Sequence, residues 1–327
     1  MSSQRSPLIR LSTLQRHLTT ATPTCRIERL TVFGAGLMGA GIAQVAAQNG
    51  LKVGYVSLAR RPDADRVNGL SIISTSLSRI ARKKSLDDVE SSTSNILKNI
   101  TTTTDAAEAV ANADLVVEAI IESIKVKRDL FGFLDGKAKA DCIFATNTSS
   151  LSVTEIAGSC SNERQTKFAG LHFFNPVQAM KLVEIIKTPQ TSQETYDTLR
   201  EVTIQMGKAP VTCKDTPGFI VNRLLVPYLL ESIRMVERGD ATPEDIDIAM
   251  ELGAGYPMGP FKLLDFIGLD TTTYIAQGWR EKAGEGSMPS QLIESIPLLD
   301  KLVKEGKMGR KSGHGFYNYN SKDNVAK

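Results

Sequence analysis

The sequence predicts an α/β protein: a doubly wound sheet with a helical hairpin insertion, followed by an all-helical C-terminal domain. Three observations carry this expectation. A short apolar strand at residues 29–33 runs straight into Gly34-Ala35-Gly36-Leu37-Met38-Gly39 and then an Ala-rich helix. Apolar runs at 115–119, 142–146, 168–174 and 182–186 alternate with helical patterns, as buried parallel strands do. From about Thr216 onward few strand patterns remain and helical ones dominate.

Taken in order, the strand at 29–33, a helix at 40–48 ended by Asn49-Gly50, and a second strand at 51–56 form a βαβ unit. In that setting G-x-G-x-x-G is a dinucleotide-binding fingerprint, and the fold is of the Rossmann type. Gly34 allows the tight turn, Gly36 lets the backbone approach a pyrophosphate, and Gly39 lets the helix pack close to the strand. Leu37 and Met38 share that turn, and the helix N-terminus offers free N–H groups and a positive dipole end to the phosphates. The residue closing the second strand is expected to be an acid that binds the adenosine ribose. Ser57 stands there instead, with Arg60 and Arg61 close behind. Serine does not repel a ribose 2′-phosphate and arginine can bind one. Ser57 can equally donate a hydrogen bond to the ribose and the arginines can be solvated loop charges, so NAD is the expected cofactor, with NADP left open.

Residues 69–84 read as a long helix ending in the basic run Arg79, Arg82, Lys83, Lys84, and residues 86–97 as a second, polar helix; together they form the hairpin insertion. Asp105 can cap a short helix through Ala111. An amphipathic helix is expected at 125–139. Asn147-Thr148-Ser149-Ser150 follows the strand at 142–146, at the carboxyl end where open α/β sheets bind ligands. Beyond the boundary placed at Asp215-Thr216-Pro217, helices are expected at 218–238, 244–252 and 261–279. Thr242-Pro243 with Asp245 marks one helix start. The predicted division is a dinucleotide-binding domain at 28–215 and a helical domain at 216–327.

The 327 residues carry 39 Lys and Arg against 36 Asp and Glu, a formal charge of +3. That excess is too small to argue for a nucleic-acid partner. No apolar run approaches the roughly 20 residues of a membrane-spanning helix. The charge is also unevenly placed. Residues 1–27 contain Arg5, Arg10, Arg16 and Arg26, many Ser and Thr, and no acid. Such composition predicts a mitochondrial transit peptide and a matrix location. Without residues 1–26 the formal charge falls to −1. Cys25, Cys142, Cys160 and Cys213 match no zinc or C-x-x-C spacing, so no metal is expected.

Of the three histidines, His172 is the one placed for chemistry, at a strand end in Gly170-Leu171-His172-Phe173-Phe174-Asn175-Pro176. Twelve residues on, Glu184 is embedded in the apolar run Lys181-Leu182-Val183-Glu184-Ile185-Ile186. A carboxylate inside such a strand needs a partner. A histidine on the adjacent strand would serve, giving a general base whose imidazolium the acid stabilises. Ser149 lacks the G-x-S-x-G elbow of a nucleophilic serine.

These motifs, together with Asp215-Thr216-Pro217-Gly218-Phe219-Ile220-Val221-Asn222-Arg223, resemble the short-chain L-3-hydroxyacyl-CoA dehydrogenases of mitochondrial fatty-acid β-oxidation over residues 28–320. The resemblance implies oxidation of an L-3-hydroxyacyl-CoA to the 3-ketoacyl-CoA, with NAD accepting hydride. It implies His172 as base, Glu184 as its orienting acid, Ser149 and Asn222 holding the reacting oxygen, and Asn175 helping to fix the site. Glu122 and Lys127 match positions on the nicotinamide side of the cofactor, and Ser76 and Lys83 match positions near the CoA. A homodimer through the helical domain is also implied. Ser57 departs from the family pattern, which has Asp there.

Overall fold

The computed structural model describes residues 27–57, 62–83, 88–282 and 289–320. The expected transit segment, apart from Ile27, lies outside the described residues, as do Arg60, Arg61 and Lys84.

The chain begins β1 (Arg29–Phe33), α1 (Leu37–Gln48), β2 (Lys52–Val56). The hairpin insertion, α2 (Pro62–Lys83) and α3 (Val89–Leu97), leads to β3 (Ile100–Thr103). Then follow α4 (Ala106–Ala111), β4 (Leu115–Glu118), α5 (Ile124–Asp135), β5 (Ile143–Thr146), α6 (Val153–Ala157), α7 (Asn162–Gln165) and β6 (Phe168–Phe173). After β7 (Leu182–Lys187), α8 (Gln193–Gln205) returns the chain to β8 (Ala209–Lys214). One sheet holds these strands in the order β3-β2-β1-β4-β5-β6-β7-β8. The order reverses between β1 and β4, which is the switch point where such sheets open a ligand crevice. Neighbours pair in parallel except β6 and β7, which are antiparallel. No crossover helix separates those two strands, so the chain turns back directly.

Two buried clusters lie on the two faces of the sheet. One packs Ile42, Val45, Ile73, Leu77, Leu199 and Val202 of α1, α2 and α8 against the strands. The other packs Val110, Leu130, Phe131, Leu134 and Ile156 of α4, α5 and α6. The predicted N-cap at Asp105 forms, its side chain accepting from the N–H groups of Ala107 and Glu108.

Several expectations are corrected. Strands β3 and β8 were not foreseen. The first is four residues of Ile-Thr-Thr-Thr with no apolar run, and the second is an edge strand containing Pro210 and exposed side chains. The first hairpin helix starts at Pro62 rather than residue 69, and α3 starts at Val89, capped by Asp88. The helix after the glycine turn begins at Leu37, so Leu37 and Met38 are its first residues. The helix expected at 125–139 ends at Asp135, before Gly136.

The C-terminal region is helical: α9 (Val221–Glu237), α10 (Pro243–Gly253), α11 (Pro260–Ile267), α12 (Leu269–Lys282) and α13 (Pro297–Lys304). The single helix expected at 261–279 is two, divided at Gly268 with φ +105°. The predicted start of α10 is present, with the Thr242 side chain accepting from the Asp245 N–H. Leu229, Leu230, Ile233, Phe261, Leu264, Trp279 and Leu299 form its core. Buried Asp265 ties the tail to this core, its carboxylate accepting from the N–H groups of Phe316 and Tyr317 and the Tyr319 hydroxyl.

Candidate active site

The residues at the carboxyl ends of the central strands build one site. Antiparallel pairing sets His172 of β6 directly opposite Glu184 of β7. His172 Nδ1 lies 2.7 Å from Glu184 Oε2, with the histidine 5% exposed and the acid fully buried. The other carboxylate oxygen, Oε1, accepts from the N–H groups of Ile220 at 3.1 Å and Val221 at 2.9 Å, where α9 begins. Burial alone would raise the Glu184 carboxyl. The His172 hydrogen bond and the Val221 and Ile220 N–H groups outweigh it and hold the group below its ordinary value. Phe174 and Phe219 flank the imidazole, with ring centroids 4.5 and 5.7 Å away.

A second network lies between β4 and β5. Glu118, at the end of β4, is fully buried. Its Oε1 accepts from Lys127 Nζ at 2.5 Å and the Ile120 N–H at 2.7 Å, and its Oε2 accepts from the Thr146 hydroxyl at 2.6 Å. Lys127, only 1% exposed, also sits 3.3 Å from Glu122 Oε2. Glu122 Oε1 accepts from the Thr148 hydroxyl and the N–H groups of Ser149 and Ser150. Burial raises the Glu122 carboxyl, but the Lys127 charge, the Thr148 hydroxyl and the Ser149 N–H bring it below the ordinary value. Asn222, in the first turn of α9, donates from Nδ2 to the Ser149 carbonyl at 3.3 Å. The structure thus joins Glu122, Lys127, Ser149 and Asn222 in one chain of contacts.

The glycine turn links β1 to α1 at the switch point. Gly34 has φ +119°, a conformation L side chains rarely adopt, and a Cβ there would overlap the Ala119 carbonyl. A Cβ on Gly39 would overlap the Gly34 carbonyl, so the helix can start only this close to the strand because Gly39 has no side chain. Beside Gly36 the space is open. A cavity of about 320 Å³ runs from Leu37 past Thr75, Ser76 and Arg79 to Asn175, Pro176 and Gln178. An adjoining groove of about 370 Å³ is lined by Ser74, Thr75, Ser78, Arg79 and Arg82. Lys83, exposed in the last turn of α2, lines neither.

Two family models match successive parts of the chain. Residues 29–216 match the 3-hydroxyacyl-CoA dehydrogenase NAD binding domain, and residues 218–319 match the C-terminal domain of the same family. The chain belongs to the 3-hydroxyacyl-CoA dehydrogenase family. It is 54% identical over 296 residues to the human mitochondrial hydroxyacyl-coenzyme A dehydrogenase, covering 90% of this chain and 91% of that one. It is 45% identical to a probable 3-hydroxybutyryl-CoA dehydrogenase of Deinococcus radiodurans, covering 88% and 99%. Among solved structures, the (S)-3-hydroxybutyryl-CoA dehydrogenase of Ralstonia eutropha superposes with a TM-score of 0.83 at 36% identity, covering 90% of this chain and all of that one.

As a member of this family the chain is an NAD-linked oxidoreductase, and its residues fit that cofactor. The space beside Gly36 is open, and Gly36 caps α1, whose first N–H groups have no partners within the helix. Ser57, at the end of β2, is 2% exposed and its hydroxyl is buried without a hydrogen-bond partner. A ribose hydroxyl would satisfy it. Glu118 was missed by sequence reasoning, although the signal was available. It is a carboxylate at the end of an apolar strand, akin to the embedded acid that singled out Glu184.

Proposed function

We propose that this dehydrogenase oxidises the 3-hydroxyl of an L-3-hydroxyacyl-CoA to the 3-ketoacyl-CoA in fatty-acid β-oxidation, with His172 as the base. The observation that carries the reading is the buried His172–Glu184 pair at the carboxyl end of the sheet. An ionised carboxylate only accepts hydrogen bonds, so Glu184 keeps the imidazole proton on Nδ1 and leaves Nε2 for the hydroxyl proton. As that proton arrives, Glu184 stabilises the imidazolium. Bound NAD would supply the acceptor for the hydride on the carbinol carbon, so that loss of that hydride and of the hydroxyl proton to His172 would leave the carbon–oxygen double bond.

The remaining residues position and shield. Ser149 and Asn222 hold the reacting oxygen; the hydrogen bond between them supports a common role. Asn175 and Ser76 line the same cavity, which supports placing the acyl-CoA there. Glu122 and Lys127 border the nicotinamide side. Lys83, further along α2, is assigned to the CoA on the same reading.

The finer assignments follow the same reading. Residues 28–215 form the cofactor domain and 216–327 the substrate and dimerisation domain. The enzyme is a homodimer through the helical region, where Leu224, Ile248, Leu252, Phe266 and Tyr274 are each more than half exposed. An apolar surface of that kind favours a partner. The enzyme works in the mitochondrial matrix, with residues 1–27 as its transit peptide, consistent with its similarity to mitochondrial dehydrogenases. Incubating the purified chain with L-3-hydroxybutyryl-CoA and NAD and following reduced nicotinamide tests the activity. Absence of turnover with L-3-hydroxyacyl-CoAs of several chain lengths would refute it.

A further inference from the structure

Phe219 has φ +53°, a left-handed backbone in which a bulky L residue is an outlier. Glycine would take this conformation without strain, yet an aromatic residue occupies it. Strain of this kind persists where the surroundings over-determine it and often marks a mechanism. The surroundings here are specific. Gly218 precedes it with φ +79°, and a Cβ on that residue would overlap the Trp279 ring. The Phe219 N–H closes a turn onto the Thr216 carbonyl at 3.0 Å. The chain then enters α9 with its first N–H groups pointing at the Glu184 carboxylate.

The side chain points the other way from the helical region. Phe219 is 4% exposed and belongs to the cluster under the sheet that contains Phe144, Val153, Phe168 and Ile186, not to the core of the helices that follow it. Its ring centroid is 5.7 Å from His172. One residue therefore reaches both members of the pair, through its ring to the histidine and through its backbone to the acid.

We propose that Phe219 is a positioning residue for the His172–Glu184 pair: its left-handed backbone aims the Ile220 and Val221 N–H groups at Glu184, and its ring holds the imidazole face and keeps water from it. This rests on the reading of His172 as the base. Glu184 accepts from His172 on one oxygen and from α9 on the other, so displacing the start of α9 turns the carboxylate and loosens the imidazole. The affected step is proton transfer, while the glycine turn and the buried Ser57 hydroxyl at the far side of the site stay in place.

The test uses the full chain with Phe219→Gly, Phe219→Leu and His172→Gln in parallel. Phe219→Gly relieves the backbone and removes the ring; Phe219→Leu retains apolar bulk in the core and serves if the glycine variant does not fold. The expected result is a kcat lowered about tenfold to a hundredfold in both, the range a misplaced catalytic group produces. KM for NAD should stay within about twofold, and the ratio of kcat in water to kcat in deuterium oxide should rise above that of the unchanged chain. Wild-type kcat and isotope ratio in the Phe219 variants, with kcat of His172→Gln lowered by about 10²–10⁴, would overturn this proposal alone. So would a kcat loss matched by an equal rise in KM for NAD with no isotope change. Near-wild-type turnover in His172→Gln would instead overturn the base assignment beneath it.

Discussion

His172 and Glu184 face each other in register across the antiparallel β6–β7 pair, with Nδ1 2.7 Å from Oε2. The contact follows from the direction of two strands. Replacing His172 by glutamine is expected to leave the sheet intact and to remove the proposed proton acceptor. We expect kcat to fall by about 10²–10⁴, the usual worth of a general base, with the melting temperature little changed. Steady-state kinetics of the variant check this.

Glu184 sets a pH dependence of stability. Its folded carboxyl lies below the ordinary value of 4.5, so the stabilisation it adds is present above that pH and is lost as pH falls through the folded value. In Glu184→Gln that contribution is absent. The wild-type advantage in melting temperature is expected to be full near pH 7 and to shrink as pH drops from about 5 toward 3. Thermal scans across that range measure it, and a difference that grows on acidification would contradict the assignment.

On the proposed reading Ser57 meets the cofactor's ribose. Its buried hydroxyl can donate one hydrogen bond to the ribose, whereas a carboxylate would accept from two ribose hydroxyls and repel a 2′-phosphate. Ser57→Asp is expected to raise the ratio of kcat/KM with NAD to that with NADP by about tenfold or more. The same pair of assays on the unchanged enzyme is expected to favour NAD.

Arg79 lines both cavities beside the site, whereas Lys83 lines neither. Arg79→Ala is expected to raise KM for the acyl-CoA about tenfold, the scale of one hydrogen bond to a charged group, and to leave kcat within about twofold. Lys83→Ala should have a smaller effect. Initial-rate measurements at several salt concentrations distinguish the two.

Asp265 anchors the tail through hydrogen bonds to Phe316, Tyr317 and Tyr319. Asparagine would turn an N–H donor toward these donors. We expect Asp265→Asn to destabilise the protein by about 1–3 kcal/mol, the cost of leaving buried groups unpaired, read from denaturant unfolding.

Much of this was legible in the sequence because the signals are local. The glycine turn, its strand and its helix are contiguous, and an acid inside an apolar strand announces that a partner is needed. The α13 helix and strands β3 and β8 were not legible. Pro297–Lys304 is only eight residues, β3 is polar, and β8 is an exposed edge. Their stability comes from pairing and packing with distant segments, which no local pattern records. The Glu122–Ser149–Asn222 linkage was hidden for the same reason, since its members lie 27 and 73 residues apart. The departure of Lys83 from the cavities reflects helix phase, because Arg79 and Arg82 turn toward the groove and Lys83 does not.

The strand order also works as a gauge. On the proposed reading the phosphate end of the site follows β1 and the proton-accepting end lies on β6, with β4 and β5 between them. That is three inter-strand spacings of about 4.8 Å each, or about 14 Å. The span is set by backbone hydrogen bonds rather than by side chains. Loops between the strands can therefore lengthen or change sequence without moving the two ends of the reaction apart, whereas one strand inserted between β1 and β6 would put them out of reach of each other.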